Sequence, residues 1–162
     1  MKRTKPRKKP SQLKPKRGSK RAEAVAAGYR SGLELEIAND LTKRGIEFEY
    51  EKHRIPYQRV IVGGKCGDCS SGNVRKRATY TPDLYLPRVR RFIEIKGRLT
   101  STDRTKLRAV LPEFAKRGEA FSILFSQDNF TTKIKRERYS DWAARNGFQY
   151  AVGKTIPNEW TV

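Results

Sequence analysis

Six residues constrain this chain most. Phe92-Ile93-Glu94-Ile95-Lys96-Gly97 alternates apolar and charged side chains with the period of a β-strand. Alternate side chains share a face, so Glu94 and Lys96 point one way while Ile93 and Ile95 point into a core. A second strand-like run, Tyr80 to Leu86, precedes it, and Pro87 with the Arg-rich step behind it makes the turn. Paired as a hairpin, the two runs bring Asp83 to the face that carries Glu94. Carboxylates held that close repel strongly in a low-dielectric cleft, and nothing structural recommends them there. A divalent cation relieves the repulsion. Hard oxygen ligands with few protein contacts suit Mg²⁺, which takes phosphate oxygens as further ligands. Lys96 adds a charge that steadies a developing phosphorane or lowers the pKa of an attacking water. Those are the parts that phosphodiester hydrolysis needs.

The overall charge agrees with a polyanionic substrate. Among 162 residues, 37 Lys and Arg stand against 17 Asp and Glu, a formal net charge of +20. Residues 1–21 hold eleven of those cations, three prolines and no acid. Such a segment buries too little surface to offset its ordering entropy, so residues 1–22 are expected to form a disordered basic arm. A mobile Lys/Arg run reads phosphates and not bases. Subtracting the eleven from +20 leaves +9 on the remaining 141 residues, so the body, residues 23–162, is basic on its own account. No apolar run approaches the roughly 18 residues of a membrane span, and no signal peptide opens the chain. Two cysteines cannot staple a secreted scaffold of this size. The expectation is a soluble intracellular protein whose partner is nucleic acid, with no small-molecule cofactor.

The patterning predicts an α/β fold, a mixed central β-sheet flanked by helices. Leu33, Ile37 and Leu41 recur at four-residue spacing and Gly45 closes the pattern, so residues 31–44 are read as a helix. Residues 46–50 alternate like a half-buried strand, and Tyr57 to Val62 is a β-branched candidate. Residues 63–73 are too rich in turn formers to be other than a loop. Thr102 can cap a helix running to about Lys116, which Pro112 should kink or end early. Ala120 to Ser126 reads as an apolar strand, Ser140 to Asn146 as a short helix stopped by Gly147, and Gln149 to Val152 as an edge strand.

Glu34 is a fourth candidate with two readings of equal standing. Ser31-Gly32-Leu33-Glu34 has the form of a capping box, in which Ser and Glu each satisfy an orphan helix amide. Alternatively the carboxylate belongs to the acidic site. Glu-x-Lys alone commonly marks an exposed strand face. Pro82-Asp83 followed eleven residues later by Glu94-x-Lys96, in a basic protein, matches the Asp…Glu-x-Lys nuclease superfamily.

The sequence resembles a narrower family within it. Tyr29-Arg30-Ser31-Gly32-Leu33-Glu34, Gly45 to Glu51, Ile55-Pro56-Tyr57, Tyr80 to Pro87, Phe92 to Gly97, Ile123 to Ser126 and Ile156 to Trp160 look like blocks of the phage endonuclease I family. The likeness runs from about Tyr29 to Trp160. It implies a restriction-endonuclease-like core and a catalytic set of Glu34, Asp83, Glu94 and Lys96. Asp83 and Glu94 would be the principal ligands of Mg²⁺ (or Mn²⁺), two ions per site, with Glu34 beside them. It also implies a strand-swapped homodimer whose two sites cut opposed strands of four-way (Holliday) and other branched DNA, in the cytoplasm of an infected host. Arg30, Arg98 and the run Arg75-Lys76-Arg77 are the expected backbone contacts, with a plain solvated turn as the other reading of that run.

Between Tyr57 and Tyr80 the chain carries extra residues where the family has a shorter bridge between swapped halves. They include Cys66-Gly67-Asp68-Cys69, half a zinc site. Two-fold symmetry could complete a Cys₄ site, or His53 could contribute within one chain; reduced loop thiols are the plainer reading. Tyr29, Tyr57 and Trp142 read as core or interface aromatics, and Pro157 to Trp160 as a tail docked on the body. Two rivals share the composition: a site-specific nicking or homing-type endonuclease on the same core, and a non-catalytic nucleic-acid-binding protein.

Overall fold

The computed structural model describes residues 19–62, 73–132, 134 and 136–162. Most of the basic arm, with Cys66 and Cys69, lies outside the described residues. Among the described residues, regular structure starts inside the stretch read as arm. Helix α1 spans Lys20–Ala26, with the Ser19 side chain accepting from the Ala22 N–H. Residues 20–22 are therefore helical, which corrects the arm's boundary. Alanines supply the propensity, and Ala24 is fully buried where α1 meets the next helix.

That helix, α2, spans Gly32–Lys43 and buries Ile37, Ala38 and Leu41 at the predicted spacing. Gly45, at φ +65°, takes the left-handed turn that ends it. Strand β1 is only Glu49–Tyr50, shorter than the 46–50 expected. Ile46 and Phe48 pack on the core without a ladder partner, so their alternation reports burial and not pairing. Strands β2 (Ile55–Val62) and β3 (Asn73–Tyr80) form a hairpin in register from Ile55↔Tyr80 to Val62↔Asn73. Arg75, Lys76 and Arg77 thus lie on a strand and not in a turn. Their side chains are exposed, so a strand costs them no desolvation.

The remaining elements are β4 (Leu84–Leu86), β5 (Arg91–Lys96), α3 (Ser101–Lys116), β6 (Ala120–Phe125), α4 (Tyr139–Arg145) and β7 (Gln149–Val152). One sheet takes the order β1-β4-β5-β6-β7. Its first two pairings are antiparallel and its last two parallel, the mixed sheet predicted. Helices α3 and α4 make the parallel crossovers. They cover one face, where Phe92, Phe114, Phe121, Phe125 and Trp142 form the core together with the β2–β3 hairpin. Helix α2 and the C-terminal turn Asn158–Trp160 cover the other, over Ile93, Ile95 and Leu124. The tail docks as expected: Trp160 is buried and the Arg91 guanidinium lies 5.6 Å from its ring centroid. Among the described residues no helix is long and apolar enough to cross a membrane.

Helix α3 departs from its predicted boundaries. Thr100, not Thr102, is the N-cap, locked in a capping box with Asp103. Pro112 lies inside the helix without ending it. Leu107, Val110 and Phe114, all buried on either side of it, hold the helix to the sheet and outweigh the missing amide.

Candidate active site

Strand β5 is buried on both faces because it is the middle strand of the sheet. Ile93 and Ile95 enter the α2 core as predicted, but the opposite face is no less buried: Phe92 joins the α3 core and Glu94 is 3% exposed. Asp83, at the bend before β4 and not within a strand, is 4% exposed. It reaches β5 directly, its Oδ2 accepting from the Ile95 N–H at 2.7 Å. Two carboxylates are therefore set in the protein interior within each other's field. Burial first, and Glu94 second, push the Asp83 carboxyl up to about 7, with Glu34 adding to the rise.

Each charge on β5 has a fixed partner. Lys96 Nζ lies 2.6 Å from Glu94 Oε1 and 3.7 Å from Asp103 Oδ1. Burial pulls the Lys96 ammonium down, but Glu94, with smaller help from Asp103 and Asp83, outweighs it and holds the ammonium above its ordinary range. Lys96 is thus a cation at neutral pH and not a base. The Tyr80 hydroxyl donates to the other oxygen of Glu94. Burial, and then Glu94, drive the Tyr80 phenol well above its usual range, so it keeps its proton and remains a donor.

Glu34 comes from the first turn of α2. Ser31 caps that helix, its Oγ accepting from the Glu34 N–H and donating to Glu34 Oε1 at 2.7 Å. The other half of the anticipated capping box is absent. Glu34 Oε2 accepts instead from the Arg30 N–H at 3.1 Å and from the Tyr50 hydroxyl at 2.5 Å. Burial and the bond to Glu34 push that phenol up to about 12. Glu34 is therefore engaged by Arg30 and Tyr50 and not merely spent on the helix end.

Arg30 joins the two halves. Its guanidinium lies 2.9 Å from Asp83 Oδ1 and also pairs with Glu51. Glu51 holds a left-handed backbone, φ 47°, while its N–H bonds the Asp83 carbonyl at 3.0 Å. A non-glycine residue there costs roughly 1–2 kcal/mol, and here the turn aims its carboxylate at Arg30. Tyr50, Glu51, Tyr80 and Asp103 are all missing from the set inferred by sequence. Only the acidic alternation through Glu47, Glu49 and Glu51 hints at any of them.

Among the described residues no three His, Cys, Asp or Glu side chains converge as a ready ligand set. Arg30 and Lys96 stand beside the carboxylates instead. The donor chemistry still fits a hard divalent cation, since Asp83 offers a buried carboxylate whose ionisation a cation would favour. Of the expected DNA contacts, Arg98 is exposed beside the site and Arg30 is engaged within it. His53 is taken up by Glu49, at 2.5 Å, and packs on Tyr85 and Phe92, so it is not free for a zinc ion. Tyr57 and Trp142 are core residues, and Tyr29 packs on Tyr50.

Comparison with known proteins bears on this arrangement. The family "Phage endonuclease I" matches residues 15–162. The chain belongs to the phage endonuclease I family. Endonuclease I of Escherichia phage T7 is 35% identical over 149 residues, covering 88% of this chain and 84% of that protein. Endodeoxyribonuclease 1 of Enterobacteria phage T3 is 35% identical over 133 residues, covering 80% and 74%. The family match runs through Glu34, Asp83, Glu94 and Lys96 alike. The chain is accordingly a DNA-hydrolysing nuclease.

Proposed function

We propose that this member of the phage endonuclease I family is a structure-selective endodeoxyribonuclease that resolves four-way and other branched DNA junctions. The observation that carries the reading is the pair of interior carboxylates, Asp83 and Glu94, with a charged Lys96 beside them, in a protein of net charge +20. Asp83 and Glu94 would hold the divalent cations, Mg²⁺ or Mn²⁺ and two per site, with Glu34 beside them. Such ions, when bound, supply Lewis-acid activation of water and offset phosphate charge. The remaining work falls to the protein's own groups. Lys96 places a fixed ammonium where negative charge builds up on the phosphoryl oxygens. Tyr80 and Lys96 clamp the two oxygens of Glu94, so the carboxylate presents one orientation. Ser31, Tyr50 and the Arg30 amide do the same for Glu34. The Arg30 guanidinium balances Asp83 and Glu51 and is free to turn to a backbone phosphate once Asp83 has another cation.

A homodimer would supply two sites for two strands. Opened at the β2–β3 hairpin, the segment before residue 55 could pair its β1 with a partner's β4 and rebuild the same contacts, which is how swapped dimers arise at little energetic cost. The protein would then act in the cytoplasm of the infected host.

The test is cleavage of a synthetic four-way junction beside a linear duplex of the same sequence, with Mg²⁺. Paired symmetric cuts confined to the junction are expected. Sequence-fixed cuts in the linear duplex would favour the nicking or homing reading. Absence of cleavage, or undiminished cleavage by Asp83→Asn, contradicts the proposed chemistry.

A further inference from the structure

One cluster of cations is largely without ion-pair partners among the described residues. In the β2–β3 hairpin Arg59 stands directly opposite Lys76, and Tyr57 opposite Ala78. Tyr57 and Ala78 pack into the core that includes α3, so this is the hairpin face turned toward that helix. Like charges directly opposite one another destabilise a strand pair. Across from them, α3 presents Lys106 and Arg108. Between hairpin and helix lies an open cavity of about 540 Å³, whose lining includes Tyr57, Arg59, Thr102, Thr105, Lys106 and Arg108 and no carboxylate. Among the described residues Arg59, Lys76 and Arg108 have no ion-pair partner. Cations at the far end of α3 do: Lys116 pairs with Glu113, and the C-cap Arg117 with Glu119.

The groove lies beside the site. Lys106 Nζ lies 5.2 Å from the centroid of Tyr80, whose hydroxyl holds Glu94. One turn earlier on α3, Asp103 faces Lys96. A strand bound at Glu94 and Lys96 would therefore pass from the site into this groove.

We propose that the groove between the β2–β3 hairpin and α3 seats the sugar-phosphate backbone of the DNA strand leaving the active site. Arg59, Lys76, Lys106 and Arg108 contact its phosphates, and Thr102 donates a hydroxyl hydrogen bond. The inference rests on the endonuclease reading and deepens it. It also divides the Arg75-Lys76-Arg77 run: Lys76 belongs to the groove, while Arg75 and Arg77 alternate to the other face of the hairpin. The contacts are to phosphate and carry no base preference.

Binding of Asp83→Asn protein to a four-way junction without divalent cation, followed against salt concentration, tests it. Removing one cation that neutralises a phosphate lowers the slope of log K against log salt by about 0.9. Adding Arg59→Ala and Arg108→Ala should reduce the slope by about 2 and weaken binding ~10-fold or more at physiological salt. Arg59→Lys with Arg108→Lys should keep the slope. Lys116→Ala with Arg117→Ala, at the far end of α3, should leave it unaltered. An unchanged slope in the alanine pair, or an equal drop in the distal pair, overturns the groove. If the wild type cuts the junction while the slope stays put, the groove fails and the endonuclease reading stands. If the slope falls but the wild type never cuts, the cleavage reading fails and the groove stands.

Discussion

The two halves of the candidate site are built differently. Glu94 stands on the middle strand of the sheet and Asp83 at the bend beside it, both excluded from water and held by Tyr80, Lys96 and a backbone amide. Glu34, Arg30 and Glu51 stand where α2 and β1 meet the sheet edge, and the Arg30 side chain is 63% exposed. In the interior half the carboxyl's ionisation is opposed, so it gains most from a cation. In the edge half the same chemistry is met by a solvated arginine that can move. Rigid carboxylates in the interior and an adjustable counter-charge at the rim would suit the proposed exchange of a protein cation for metal and phosphate.

The contrast sets the order of effects expected from substitution. Asp83→Asn or Glu94→Gln should lower single-turnover junction cleavage by about a thousandfold or more, with junction affinity retained, because affinity rests on basic groups. Lys96→Ala should cost ~100–1000-fold in the same assay, the range for losing one group that stabilises transition-state charge. Glu34→Gln should cost less, about 10–100-fold, if the edge half only assists. A loss from Glu34→Gln equal to that from Asp83→Asn would break the distinction between the halves. Arg30→Gln should move divalent-ion affinity the other way, tightening it several-fold in calorimetric titration, since a competing cation leaves Asp83. Weaker ion binding in that variant would show that Arg30 supports the metal and does not compete with it.

Strand exchange has its own discriminating case. In a mixed dimer of Glu34→Gln and Asp83→Asn chains, exchange would leave one site wholly wild type and the other doubly altered. Cleavage of one strand should then return on mixing and re-association. Its absence would mean that each site is built from a single chain.

Much of the interior half is legible in the sequence, because period-2 alternation in Phe92 to Lys96 fixes faces and a hairpin fixes neighbours. What alternation cannot show is that β5 is the middle strand, and so that Glu94 is as buried as Ile93. Centrality depends on where β6 and β7 pair, which is a non-local fact. The edge half is ambiguous in sequence for a different reason. Ser31 and Glu34 satisfy a local capping rule, and only Tyr50 and Arg30, brought in from elsewhere, show the carboxylate serving more than the helix end. The basic run at residues 75–77 leaves a solvated turn open as one of its two readings because exposed cations carry no strand periodicity of their own. Pro112 misleads because its local cost is outweighed by tertiary packing on either side.

The most direct test of the account is thermal stability as a function of pH with and without Mg²⁺. A carboxyl held near 7 in the folded protein and near 4 when unfolded binds its proton more tightly when folded. Its stabilising effect is complete below pH 4 and is lost as pH rises to about 7. Metal-free wild type should therefore lose melting temperature across that interval, relative to Asp83→Asn, and stay level above it. Mg²⁺ should restore the loss in wild type at pH 7 and above and do little for Asp83→Asn. A wild type that ignores Mg²⁺, or an Asp83→Asn protein stabilised by it equally, would contradict the claim that this interior carboxylate pair is built for a divalent cation.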